Sequence, residues 1–320
     1  VDTLGADILR LWVAATDYRG EISVSDEILK RMSDSYRRMR NTARFLLGNL
    51  HGFDPATDAV PVDDLLALDR WALQRARALQ EAVIAAYRDF EFHVIYQKVH
   101  NFCVVDMGGF YLDVIKDRQY TMAADSLGRR SCQSAMYHIA EAMVRWLAPV
   151  MSFTADEAWG FMPGARSDSV FLETWYDQLQ PMDDADSARA FWGMVEDVRD
   201  AVSKQLEGMR KDGVIGASLD AEVELYCDEP LLSLLASLGD ELRYALITSY
   251  ASVARFADAS PQAMDTEVNG LKIAAWASEH AKCTRCWHHR EDVGRDAEHP
   301  ELCGRCVENV AGAGEARRFA

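Results

Sequence analysis

Several things are missing from this chain of 320 residues, and each absence narrows its chemistry. No stretch reaches about 18 consecutive apolar residues, so no transmembrane helix is expected. The most apolar region, Ala142 to Phe153, is interrupted by Arg145 and Pro149. There is no G-x4-G-K-[ST] loop, no G-x-G-x-x-G after a strand and no G-x-S-x-G elbow. That removes the usual phosphate-cradling loops and the serine-nucleophile turn. Positive charge is also scarce: 34 basic residues against 51 acidic give a net charge of −17, which argues against a sequence-blind nucleic-acid binder. A local basic patch can still act in such a chain, because screening limits exposed charges to about 8 Å at physiological salt. The seven cysteines are an odd number and fit a reduced, cytoplasmic setting better than a disulfide framework. The opening Val1-Asp2-Thr3-Leu4 has no charged run leading into an apolar one, so no secretory signal is expected. It has no initiator Met either, and the chain is expected to be part of something longer.

What is present falls into four stretches. Residues 1–50 form a helical connector. In it Ile28, Met32, Tyr36, Met39 and Ala43 recur at helical spacing, and Ser25 with Asp26 offers an N-cap. Lys30, Arg31, Arg37, Arg38, Arg40 and Arg44 surround that face, as either a solvated cationic surface or a phosphate-facing one. Residues 51–212 read as a bundle of long amphipathic helices, opened by a loop with Gly52, Asp54, Pro55 and Pro61. Gly108-Gly109 is an awkward pair inside one of these helices, and a single helix is expected to run from Ala135 to Phe153. Residues 213–280 change texture. Val223, Leu225 and Cys227 alternate with Glu222, Glu224 and Tyr226 as in a half-buried strand, followed by a short helix and further strands at 251–256 and 271–276. The expected fold class is therefore mainly α, a helical bundle followed by a small α/β unit and a terminal metal module.

That module, residues 281–320, carries the most specific motif. Cys283-Thr284-Arg285-Cys286 and Cys303-Gly304-Arg305-Cys306 are two C-x2-C knuckles separated by sixteen residues. Four thiolates complete a tetrahedral zinc shell with no open position for water, so the predicted site is structural, with one Zn2+ on Cys283, Cys286, Cys303 and Cys306. His288, His289 and His299 are the alternative ligands. Arg285, Trp287 and Arg305 in or beside the knuckles supply guanidinium planes and a ring of the kind that stacks on unpaired bases, although Trp287 reads equally well as a core residue of a small module. Cys103, Cys132 and Cys227 sit in apolar patterns and read as core.

Several segments also carry a resemblance. Gly5-Ala6-Asp7-Ile8-Leu9-Arg10-Leu11-Trp12 resembles the segment after the signature lysine loop in class I aminoacyl-tRNA synthetases for branched aliphatic amino acids. Tyr36 to Leu47 resembles the helix opening their anticodon-binding part. Phe110 to Arg118 and Ser152 to Trp159 resemble segments of their bundle. The terminal cysteine run resembles the zinc module of bacterial isoleucyl-tRNA synthetases. The resemblance implies a ligase that joins isoleucine to tRNA using ATP and Mg2+ in an upstream catalytic domain. This chain would be its tRNA-binding portion, itself inactive, cytoplasmic, monomeric and without a membrane partner. Two look-alikes are refused. Lys30-Arg31-Met32-Ser33-Asp34-Ser35 lacks the second lysine of the lysine loop, and His138-Ile139-Ala140-Glu141 lacks the glycine and second histidine of the ATP-binding histidine motif.

The resemblance implies RNA contacts in three groups: Arg37, Arg38, Arg40 and Arg44 on phosphate; Lys116, Arg118, Arg129 and Arg130 along the bundle; and Arg285, Trp287 and Arg305 toward the anticodon bases. Two alternatives stay open. A zinc-ribbon adaptor that binds protein predicts no salt-dependent RNA affinity. A DNA repair enzyme with a terminal finger would need a catalytic N-terminus and a duplex-binding core.

Overall fold

A computed structural model describes residues 3–320; the first two positions of the connector lie outside the described residues. The chain forms two compact units. One comprises residues up to Leu65 with Asp69–Asp113 and Arg130–Ala185; the other comprises Leu66–Leu68, Val114–Arg129 and Asp186–Ala320. No helix among the described residues is long and apolar enough to cross a membrane.

In chain order the helices of the first part are α1 (Ala6–Ala15), α2 (Asp26–Asn49), α3 (Ala67–Arg88) and α4 (Phe92–Asn101). A π-helical stretch, Phe102–Tyr111, leads into α5 (Leu112–Val114) and α6 (Lys116–Thr121), followed by α7 (Leu127–Leu147) and α8 (Ser152–Trp159). The core of the first unit is aromatic. Trp71 meets Phe110 edge-on at 5.3 Å, and Phe102 meets Trp146 at 5.9 Å. The indole of the buried Trp146 donates to Gln80 Oε1 at 3.0 Å, so its one polar atom is satisfied.

Three local features follow from the sequence. Ser25 caps α2, its hydroxyl accepting from the Ile28 amide at 3.2 Å. The buried face of α2 is Ser35, Met39, Thr42 and Leu46, rotated from the expected stripe, so Ile28 and Met32 are half-buried. The Gly108-Gly109 pair lies where the helix widens. A Cβ on Gly108 would sit 3.1 Å from the Cys103 carbonyl, so the wide turn is built around its absence.

The helix expected from Ala135 to Phe153 is instead two. α7 ends at Leu147 and α8 starts at Ser152, with Pro149 between. The break is stapled by α1. Asp7 accepts from the Thr154 amide at 2.7 Å and the Phe153 amide at 3.3 Å, satisfying orphan donors at the positive end of α8. Arg10 donates to the Pro149 and Val150 carbonyls, each at 2.9 Å.

The second unit begins its long run with α9 (Ala185–Lys211), which buries Trp192, Val195, Val198, Val202 and Leu206. A four-stranded sheet follows, with β1 (Ala221–Cys227), β2 (Tyr250–Arg255), β3 (Met264–Asp265) and β4 (Leu271–Ala277) in the order β2-β1-β4-β3. β1 pairs parallel to β2 across α10 (Leu231–Ser237) and α11 (Leu242–Leu246), and antiparallel to β4. Being central, β1 buries Ala221, Val223 and Leu225 completely, and Tyr226 on its other side almost so. The last helix, α12 (Gly304–Ala311), starts at the second knuckle.

Candidate functional site

The four knuckle cysteines converge. Their sulfurs all lie within 4.8 Å of one another, and all four residues are buried. Cys286 Sγ and Cys303 Sγ are 3.7 Å apart, far beyond the roughly 2.05 Å of a disulfide. That separation matches the edge of a tetrahedron whose centre would lie about 2.3 Å from each sulfur, the zinc–thiolate distance. The Cys303 amide points at Cys283 Sγ at 3.4 Å, the amide-to-sulfur approach expected around thiolate ligands. The donor set therefore fits one structural zinc, with few apolar neighbours besides Val293 and Leu302. The histidines are not part of it. His289 Nδ1 lies 2.7 Å from the His280 carbonyl, and His288 is buried against Tyr244, ring centroids 5.7 Å apart.

Trp287 is not a core residue. It is 62 % exposed, and its φ of 65° places it in the left-handed region, uncommon for a bulky side chain. Its amide closes the knuckle turn onto the Cys283 carbonyl at 2.9 Å.

The arginines flanking the knuckles are a correction. Arg305 holds Asp117 with two parallel hydrogen bonds, at 2.6 and 2.9 Å, and Glu315 at 3.1 Å; only 11 % of its side chain is exposed. Arg285 donates to the Thr121 carbonyl at 2.9 Å. Arg317 pairs with the same Asp117 carboxylate and lies 3.6 Å from the Tyr244 ring centroid. Burial raises the Asp117 pKa, but the Arg305 and Arg317 guanidiniums outweigh it and hold the carboxyl well below the usual range. Arg305 thus neutralises a buried acid rather than facing a base. Sequence spacing has no signal for this cluster, because Asp117 and Arg305 stand 188 residues apart.

The bundle cations also divide. Arg118 is fully buried, donating to the Gly128 carbonyl at 3.1 Å, so it offers RNA nothing. Arg130 bonds Gln133 Oε1 at 2.9 Å and lies 3.2 Å from Asp58, tying down the 52–58 loop. Lys116 is exposed and Arg129 half-buried.

On α2, by contrast, Arg37, Arg38, Arg40 and Arg44 are all exposed. Arg37 pairs with Asp34 one turn away, and Arg40 lies 3.9 Å from the exposed Glu157. Among the described residues no carboxylate pairs with Arg38 or Arg44. Arg37, Arg40 and Arg44 follow i, i+3, i+7 spacing and share one face, spanning about 10 Å along the axis. Arg40 and Arg44, with Leu47, Phe53, Ala158 and Phe161, line a groove of about 930 Å³ beside α2 and α8.

Comparison with known proteins follows the same division. Residues 69–225 match the family described as "Anticodon-binding domain of tRNA ligase", and residues 282–309 the family described as "Zinc finger found in FPG and IleRS". Among curated proteins the chain is 62 % identical over 319 residues to the isoleucine–tRNA ligase of Nitrosococcus oceani, covering 99 % of this chain and 34 % of that protein. It is 62 % identical over 320 residues to the enzyme of Methylococcus capsulatus and 58 % identical over 321 to that of Pseudomonas aeruginosa, in both cases across the whole chain and 34 % of the relative. The chain spans about a third of the length of these relatives. Similarity runs unbroken through bundle, sheet and zinc knuckles and matches this chain to the portion of isoleucine–tRNA ligases that bears the anticodon-binding and zinc-finger regions.

Proposed function

We propose that this chain is the tRNA-binding portion of an isoleucine–tRNA ligase. Its arginine row on α2 grips backbone phosphate, and its zinc module presents Trp287 to an unpaired base of the anticodon loop. The observation that carries the reading is the row itself: Arg37, Arg40 and Arg44, three exposed guanidiniums on one face of α2, with Arg38 exposed on the same helix, in a chain whose net charge is −17. An acidic protein repels RNA at long range, so a concentrated cationic face that also borders an apolar groove fits a local docking surface. The whole protein would activate isoleucine with ATP and Mg2+ in a catalytic domain upstream of this chain, in the cytoplasm and as a monomer. The domain limits in this reading are 1–50 for the connector, 51–212 for the anticodon-binding bundle, 213–280 for the α/β junction and 281–320 for the zinc module. Lys116 and Arg129 are secondary candidates for phosphate contact.

The test is zinc-loaded chain titrated with an isoleucine tRNA, and with the same tRNA carrying a replaced anticodon, across a range of salt. Affinity should fall steeply with salt and weaken with the anticodon swap. Each phosphate that Arg40→Glu/Arg44→Glu no longer neutralises should flatten the log–log salt slope by about 0.7–0.9. Failure of folded, metal-loaded chain to bind either tRNA would defeat the reading and favour a protein-binding adaptor.

A further inference from the structure

Each zinc knuckle carries an arginine directly before its second cysteine, Arg285 in one and Arg305 in the other. Both converge on one short helix. Arg285 caps α6, donating to the carbonyl of its last residue, Thr121, at 2.9 Å. Arg305 grips Asp117, one turn earlier, with both arms of its guanidinium, and reaches Thr121 Oγ1 at 3.4 Å. The two knuckles are therefore bolted to the same turn of α6 by equivalent residues. Arg317 closes the arrangement on the other side of the Asp117 carboxylate. His288, buried between the first knuckle and Tyr244, brings a ring nitrogen to 3.9 Å from the same carboxylate.

Trp287 is the residue between Cys286 and His288, and its backbone is held left-handed with the indole turned outward. Its neighbours in sequence are thus anchored on both sides: Arg285 to Thr121, and His288 beside Asp117. Among the described residues no hydrogen bond or ring contact holds the Trp287 indole. Its aim comes from what the turn is fastened to.

We infer that Asp117, Arg285 and Arg305 are positioning residues that orient Trp287, so that discrimination between anticodons depends on a carboxylate that is itself mostly buried. The inference rests on the RNA-binding reading above for its consequence, though not for its geometry. A bidentate carboxylate–guanidinium pair fixes angle as well as distance, which a lysine in either knuckle does not reproduce.

The experiment compares the wild-type chain with Asp117→Asn and, because loss of a buried charge endangers folding, with the milder Arg285→Ala. Bound zinc should stay at one per chain in all three, since the four sulfurs are untouched. With 5-fluorotryptophan incorporated, the 19F resonance of Trp287, assigned with Trp287→Phe, should shift or broaden in both variants. The ratio of affinities for the cognate and anticodon-swapped tRNA should drop by about tenfold, the scale of one base–aromatic stack. The salt slope set by α2 should not change. An unmoved Trp287 resonance in both variants overturns the inference whatever the RNA does. A moved resonance with an unchanged affinity ratio overturns its functional half. A wild-type chain that binds both tRNAs equally defeats anticodon reading by this chain, while the resonance still decides whether Asp117 sets the indole.

Discussion

Asp117 is a carboxylate with three obligations: it lies in a mostly buried site, it neutralises Arg305, and it neutralises Arg317. Removing one member of such a cluster leaves the others charged and dry, so Asp117→Ala should cost about 3 kcal/mol of stability, measured by denaturant unfolding. Its pH dependence has a definite sign. The folded pKa lies below the unfolded value of about 3.9, so the folded state holds fewer protons, and the stabilisation is complete above that pH. It is lost as pH falls further. Wild-type thermal midpoints should therefore drop more steeply than those of Asp117→Asn as pH falls below about 4. Arg118 and Arg305 teach the same lesson from the other side. A guanidinium reads as a surface cation in sequence, and only its partner decides. For Arg305 that partner lies 188 residues away.

At the scale of elements, what was legible was what is local. The Ser25 cap, the alternation of β1 as far as Leu225 and the paired knuckles are each settled within a few residues and stand where the sequence put them, whereas Tyr226, expected on the outward side, is buried. The division of the Ala135–Phe153 helix was not legible in full. Pro149 was read only as a break in the apolar run, and the group that stabilises the new helix start is Asp7, 147 residues from Thr154. The rotation of the α2 face has the same origin, since Ser35 and Thr42 are buried through Tyr96 and the Cys103 carbonyl on other helices. The two kinds of helical glycine give a paired prediction. Gly208 in α9 is exposed with open space where a Cβ would go, so Gly208→Ala should stabilise the chain by about 0.5–1 kcal/mol. Gly108→Ala should bring no such gain and instead lower the melting temperature, because its Cβ meets the Cys103 carbonyl at 3.1 Å.

Over the whole molecule, metal dependence should be confined to one of the two compact units. The zinc module has little apolar core, and four thiolates on zinc contribute roughly 10–16 kcal/mol in isolated modules. Chelation should expose the amides of residues 281–309 to rapid hydrogen exchange and release the Asp117 cluster, while the amides of α2, α4 and the core of α7 stay protected. Rapid exchange spread evenly over both units would contradict this. The same division has a consequence in time. Residues 114–129 belong to the second unit although they are flanked on both sides by the first. A ribosome delivers Asp117 long before Arg305 and Arg317, which follow 188 and 200 residues later. At about 5–20 residues per second that interval is roughly 10–40 s, during which a carboxylate destined for burial waits in water without its cations. Vectorial synthesis thus completes the first unit's stretch of sequence while this insert is still unclaimed, and the late-made arginines close the second unit around a segment that emerged well before them.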